Sequence, residues 1–392
     1  MVISKSNLIF MLLIFSFFFD ALINRFLSVP IYLVSIFIIA LVLNLIGGYR
    51  IILTTVSLFV ISFLSLIKRG EIEDFGYFVY FCFFSSSVLY LIYEMKHNRI
   101  DINKNISLIL FFMISVFFWI YIFGVDNTVH DADFSVGGAN LEYYRSYHSG
   151  LFRAPHFPSY LFYFTMIYFL CLYKEYSRLV IVLVMISCCL GILLSGSRTP
   201  VYAFIIASLF YFSLNKIRYS VLFLMSVLLF LQVYFNIEFI LDFFENTPIY
   251  QYLTFIYTLK NEPERLSRIQ LILVFINGVK DFNIIELFFG KSFGMQMELI
   301  NESIGQRLWF HNDFLAVFYS YGLFGIMLFV WLLYCLYRYS VRGTRNFYIH
   351  VYFYSIVIFA FFNGLLYHGT YIFIIFLLWM KLHERKSFDI VS

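Results

Sequence analysis

Charge is what this sequence has least of. Only 13% of its 392 residues are Asp, Glu, Lys or Arg, whereas 62% are hydrophobic. A soluble domain carries roughly 25% charged residues, so the composition excludes an ordinary soluble globule. Cysteine is also scarce. Cys82, Cys171, Cys188, Cys189 and Cys335 all fall in apolar runs and none has CxxC spacing, so they read as small buried hydrophobes and not as a disulfide or metal framework. There is no GxxxxGK[ST] loop and no dinucleotide fingerprint. A reaction would need a substrate that brings its own leaving group. No internal repeat is visible, which removes the basis for an inverted-repeat transporter. A net charge of +4 implies no nucleic-acid partner. Lys5 precedes an apolar run with no small-residue cleavage site after it, so that run reads as a retained first helix and not a signal peptide.

What the chain has is apolar length and aromatic rings. Its mean hydropathy is +0.86, and it holds 53 Phe and 32 Tyr. The fold class expected is all-α: a polytopic transmembrane helical bundle forming one integral domain over residues 1–392. About twelve runs are long enough to cross a bilayer, which takes about 17 to 25 residues. They cover roughly 7–23, 27–46, 51–67, 75–94, 106–125, 157–173, 178–195, 200–214, 217–236, 312–337, 347–366 and 369–383. With the N-terminus inside, fifteen of the 27 Lys and Arg fall in inner segments and four in short outer loops. That bias places both termini in the cytoplasm. Two long outer loops result, a first over 126–157 and a larger one over 237–311. Within the second, Leu266 to Val279 reads as an amphipathic or re-entrant helix, and Gly290, Gly294 and Gly305 read as turns.

Polar residues at the outer helix ends are the candidates for chemistry. Arg198 sits in a tight Ser197-Arg198-Thr199 break. Arg265 and Arg268 precede and open the amphipathic helix, and Arg145 and Arg153 lie in the first loop. Guanidinium groups clasp phosphate oxygens in a fork and stay charged. The structural alternative is solvated loop charges, or arginines reaching to lipid headgroups. His311, in Trp309-Phe310-His311-Asn312-Asp313-Phe314, could serve as a general base, since an imidazole titrates near neutrality. It could equally be a helix-start histidine, with Asp313 serving the helix dipole. His156 and His368 are weaker candidates. His130, Asp131 and Asp133 could gather a cation, although a loop with so few ligands argues against it.

Taken together, the motifs resemble those of the bacterial O-antigen polymerases and O-antigen ligases. The elements are Ser197-Arg198-Thr199 between helices, Arg268 opening a loop helix, and then Phe289-Gly290-Lys291-Ser292-Phe293-Gly294. His311-Asn312-Asp313 closes the loop ahead of Tyr321-Gly322-Leu323-Phe324-Gly325, and Gly150-Leu151-Phe152-Arg153-Ala154-Pro155-His156 lies in the first loop. The resemblance runs over essentially the whole chain. It implies glycosyl transfer at the periplasmic face of the bacterial inner membrane, from an oligosaccharide linked through diphosphate to undecaprenol. His311 would be the catalytic base. Arg198 and Arg268, with Arg265 and Arg153, would bind the diphosphate, and Asn312, Asp313, His156 and Arg145 would support them. It implies no cofactor and no metal, and as partners a chain-length regulator and a flippase. The polymerase reading leads, because the second loop is compact and His-Asn-Asp-Phe-Leu looks polymerase-like. A ligase transferring the glycan to the lipid A core is the alternative, and a lipid-linked oligosaccharide flippase the lesser one.

Overall fold

The computed structural model describes residues 156–194, 199–215, 231–244, 267–305, 309–344 and 346–366, with isolated residues between 77–89, 111–115 and 228–261. Among the described residues most are helical and none lies in a strand. The spans expected at 7–23, 27–46, 51–67 and 369–383 lie outside them, as do most of the span expected at 217–236 and the loop 126–155. The scattered residues described in 77–89 and 111–115 are helical, as expected there.

Among the described residues, five long helices pack together as a bundle: α1 His156–Cys171, α2 Arg178–Leu194, α3 Thr199–Asn215, and further on α8 Asp313–Leu336 and α9 Phe347–Phe362. Between α3 and α8 come α4 Ile237–Phe244, α5 Ser267–Lys280, α6 Ile284–Phe289 and α7 Phe293–Ile304. A π-helical turn, Tyr337–Val341, extends α8. Asp313–Tyr339 is the one candidate among the described residues long and apolar enough to cross a membrane. The other bundle helices are apolar but shorter.

The core is built largely from rings. Helices α1 and α9 interlock through Tyr160, Tyr163, Phe164, Tyr352 and Phe359, with edge-on or tilted contacts. Such geometry sets the positive ring edge against the negative face of a neighbour. The Ser355 hydroxyl donates to the Val351 carbonyl one turn back at 2.7 Å. The Tyr163 hydroxyl therefore donates to Ser355 Oγ at 2.6 Å, a buried polar pin between the two helices. Rings of α3 meet the start of α9 at the far end, Tyr211 against Phe347 and His350.

Three local features differ from the sequence expectation, each for a physical reason. The eleventh run, expected to continue to 366, ends as a helix at Phe362. Gly364 turns the chain at φ 70°, and the next two amides leave the helix for the Asp313 carboxylate. Gly290 and Gly305 do sit at turns, ending α6 and α7, but Gly294 lies in the first turn of α7. The turn there belongs to Ser292, at φ 103°, whose hydroxyl accepts from the Met295 amide. Finally, the helix expected to run on through Tyr321-Gly322-Leu323-Phe324-Gly325 is broken at Gly322, at φ 64° and ψ −157°.

That break is filled by backbone from the preceding loop. A Cβ on Gly290 would lie 2.3 Å from the Ser320 carbonyl carbon, and one on Gly322 would lie 2.4 Å from that of Phe288. Across the same joint the Lys291 amide donates to the Tyr319 carbonyl at 2.8 Å, satisfying an acceptor that the broken helix leaves over. The two glycine motifs noted in the sequence are thus two halves of one contact.

The start of α8 is capped by its own side chain. Asn312 Oδ1 accepts from the Leu315 amide at 3.1 Å, with Asn312 in an extended conformation. Losing such a cap costs about 1 kcal/mol. Asn312→Ala is therefore expected to lower the thermal midpoint in detergent, and Asn312→Asp, which keeps an acceptor, to leave it nearly unchanged. Equal midpoints for the two variants would exclude the capping role.

Candidate functional site

Antiparallel packing brings the starts of α1, α3 and α8 and the end of α9 to one end of the bundle. There the Asn363 side chain joins three helices and the loop. Its Oδ1 accepts from Arg268 Nη2, from the start of α5. Its Nδ2 donates to Thr199 Oγ1 of α3 at 2.6 Å and to the Tyr160 hydroxyl of α1. An amide suits this node because one group supplies both an acceptor and two donors. Arg268 itself stays exposed.

One residue on, Gly364 passes beneath the Trp309 indole so closely that a Cβ would come within 2.3 Å of Cη2 and Cζ3. Trp309 is buried, and its ring carries that of His311, with centroids 4.6 Å apart and planes at 42°. A short path of contacts, Arg268 to Asn363, then Gly364, Trp309 and His311, therefore joins the two halves of the expected site.

The three residues of His311-Asn312-Asp313 divide their labour. Asn312 is the helix cap. Asp313 is fully buried, and its carboxylate accepts from the Leu365 and Leu366 amides, the latter at 3.2 Å to each oxygen. It clamps the turn that carries Asn363 to the start of α8. These two side chains hold the site together. His311 is different: half-buried, with φ 52°, one of two non-glycine residues at positive φ among the described residues. Histidine tolerates the left-handed region better than most residues. Backbone held there often marks a working position, because the surroundings must enforce it.

Of the other residues expected at the site, Arg198, Arg265, Arg153 and Arg145 lie outside the described residues. So do His368, His130, Asp131 and Asp133. Arg198 directly precedes Thr199, one of the Asn363 partners. His156 opens α1, one helical turn before Tyr160. Among the described residues no group of three His, Cys, Asp or Glu is placed to hold a metal ion.

Sequence reasoning missed Asn363 and Tyr160 and gave Trp309, quoted beside His311, no role. Asn363-Gly364 lies inside the run expected over 347–366, and its turn signal could have marked the helix end but says nothing of its neighbours. The partners of Asn363 lie 95, 164 and 203 residues away, so only the packed bundle reveals the node. Comparison of the chain with protein-family models and with curated proteins finds no match.

Proposed function

We propose that the chain is a multi-pass enzyme of the bacterial inner membrane, of about twelve spans, with both termini cytoplasmic. It joins undecaprenyl-diphosphate-linked oligosaccharide units into an O-antigen or related surface polysaccharide on the periplasmic face. The observation that carries this reading is the meeting of Arg268 and Thr199, the neighbour of Arg198, on Asn363, one contact path from His311. A cationic group and a base are what transfer from a glycosyl diphosphate requires. The outward surface supports a bilayer as solvent. Helix α2 exposes Leu179, Val182, Leu183, Ile186, Leu190 and Leu193 along one stripe, and apolar patches of that extent mark a membrane or partner contact.

In the proposed reaction an acceptor sugar hydroxyl attacks C1 of the donor sugar while His311 takes the hydroxyl proton. The C1–oxygen bond to the diphosphate breaks, and the lipid diphosphate leaves with the electron pair. Arg268 and Arg198, with Arg265 and Arg153 in support, meet the charge that grows on its oxygens. Asn363 holds the Arg268 guanidinium in place, and Asp313 holds the turn that carries Asn363. One direct displacement inverts the anomeric centre, so a product linkage of retained configuration excludes this route. A chain-length regulator and a flippase would act beside it.

The test is a deletion strain profiled by lipopolysaccharide gel and complemented with His311→Ala. A deletion that leaves one repeat unit on the core supports polymerisation. Bare core with lipid-linked polymer accumulating supports ligation instead. His311→Ala is expected to reproduce the deletion pattern at normal protein level, a loss of about 100-fold or more in rate for a general base. Full-length ladders with His311→Ala would remove His311 from the chemistry.

A further inference from the structure

We propose that α6 and the turn over residues 290–292, although part of the outer loop, are seated in the bilayer hydrocarbon, with Ile284, Ile285 and Phe288 against lipid acyl chains. The proposal rests on the membrane reading above.

The first observation is that α6 is polar inward and apolar outward. Ile284, Ile285 and Phe288 are 76%, 62% and 40% exposed. The one charged residue of α6, Glu286, and Lys291 just beyond the helix turn the other way. Glu286 closes a capping box with Asn283 and pairs with Lys291 at 3.8 Å, and their side chains are only 16% and 19% exposed. Lys291 also lies over the Phe282 ring at 5.0 Å. A helix in water shows the reverse pattern.

The second observation fixes its depth. Backbone contacts of Gly290 with Ser320 and of Gly322 with Phe288, and the hydrogen bond from the Lys291 amide to Tyr319, tie α6 to the level of residues 319–324 of α8. The apolar run Asp313–Tyr339 has 27 residues. At 1.5 Å per residue that is about 40 Å, longer than the roughly 30 Å of hydrocarbon it would cross. Centred in that layer, residues 319–324 lie about 5 to 12 Å inside its edge. Backbone that is not helical is tolerated at such depth only when protein satisfies it, which is what the Lys291 amide does for Tyr319.

The third observation is continuity. Phe288 and Phe289 both pack on Phe324, at 5.7 and 5.2 Å between ring centroids. Phe324 begins the outward stripe of α8 that continues through Met327, Trp331 and Tyr334. The apolar face of α6 extends this surface, so whatever solvates α8 solvates α6.

The experiment places a photo-crosslinking p-benzoylphenylalanine at Ile284 or Ile285 in the full chain, reconstituted in vesicles of phosphatidylethanolamine and phosphatidylglycerol. Met327 is the reference for the membrane reading, and exposed Glu302 on α7 the aqueous control. Both test positions are exposed, so each variant should keep the parent's elution in detergent. Phospholipid adducts at Ile284, Ile285 and Met327 but not at Glu302 are expected. Adducts at Met327 without any at 284 or 285 would overturn the proposal and leave the membrane reading standing. A chain-to-chain dimer at 284 or 285 would give the face to a second copy and also overturn it. Adducts at none of these positions would remove both readings.

Discussion

Gly322→Ala is expected to remove most of the folded protein. Two costs coincide at this position. Its backbone, at φ 64° and ψ −157°, lies in a region essentially reserved for glycine, at about 1–3 kcal/mol for any other residue. The added methyl would also lie 2.4 Å from the Phe288 carbonyl carbon and 2.5 Å from its oxygen. Those are backbone atoms that cannot rotate away, and overpacking of this kind costs about 1–3 kcal/mol more. Together, at about 2–6 kcal/mol, the two costs remove a large share of the about 5–15 kcal/mol that holds an ordinary domain folded. Gly290→Ala meets the same joint from the other side, at 2.3 Å from the Ser320 carbonyl carbon, and should fail in the same way. Gly305 is the control. It also has positive φ, at 71°, but nothing lies within 4 Å of a Cβ there, so Gly305→Ala should cost only the backbone penalty of roughly 1–2 kcal/mol. Detergent-extractable, monodisperse protein is the measure. Equal yields of Gly322→Ala and Gly305→Ala would show that the two-glycine joint is not as tight as described.

Asn363→Asp should leave the fold in place and disable the site. The carboxylate is nearly the same size as the amide, and the Tyr160 and Thr199 hydroxyls can donate to it instead of accepting. What changes is the charge beside Arg268. Unit charges about 4 Å apart at an effective dielectric near 20 interact by about 4 kcal/mol. Water at the exposed guanidinium screens part of this, leaving roughly 1–3 kcal/mol, or a loss of about 10- to 100-fold in kcat/KM for an anionic donor. Arg268→Ala should lose at least as much. The decisive variant is the double one. If Asn363 acts through Arg268, then Asn363→Asp adds little to Arg268→Ala, because the group whose charge it offsets is already gone. Fully multiplicative losses would detach Asn363 from the arginine. A collapse in the thermal midpoint of Asn363→Asp alone would make its role structural.

The two predictions differ in how far the sequence could have led to them. Gly290 was visible as a turn in the second loop, and Gly322 as part of a glycine-marked motif in the helix that follows. Their mutual contact was not visible, because a positive φ is decided by what the backbone must avoid, and that is the other glycine's segment. His311-Asn312-Asp313 read from sequence as one polar phrase. In the fold it separates into a cap, a clamp and a half-exposed ring. Asn363 left no functional trace at all, being one polar residue within a run expected to continue to 366.

By itself the sequence located the long helices of the bundle, though not the short helices α4, α6 and α7. Apolar runs near 157–173, 178–195, 200–214 and 312–337 match α1, α2, α3 and α8 within a residue or two, because apolar runs of that length are too long for strands and read as helix. It also determined which residue types the helix ends would offer. The tertiary structure alone decided which of those ends meet, where α8 breaks, and that one neutral amide gathers Arg268, Thr199 and Tyr160. The physical reason is range. Helix formation and capping depend on residues three or four apart, whereas the site depends on contacts between segments far apart in sequence, which arise only when packed rings and paired glycines bring those segments together.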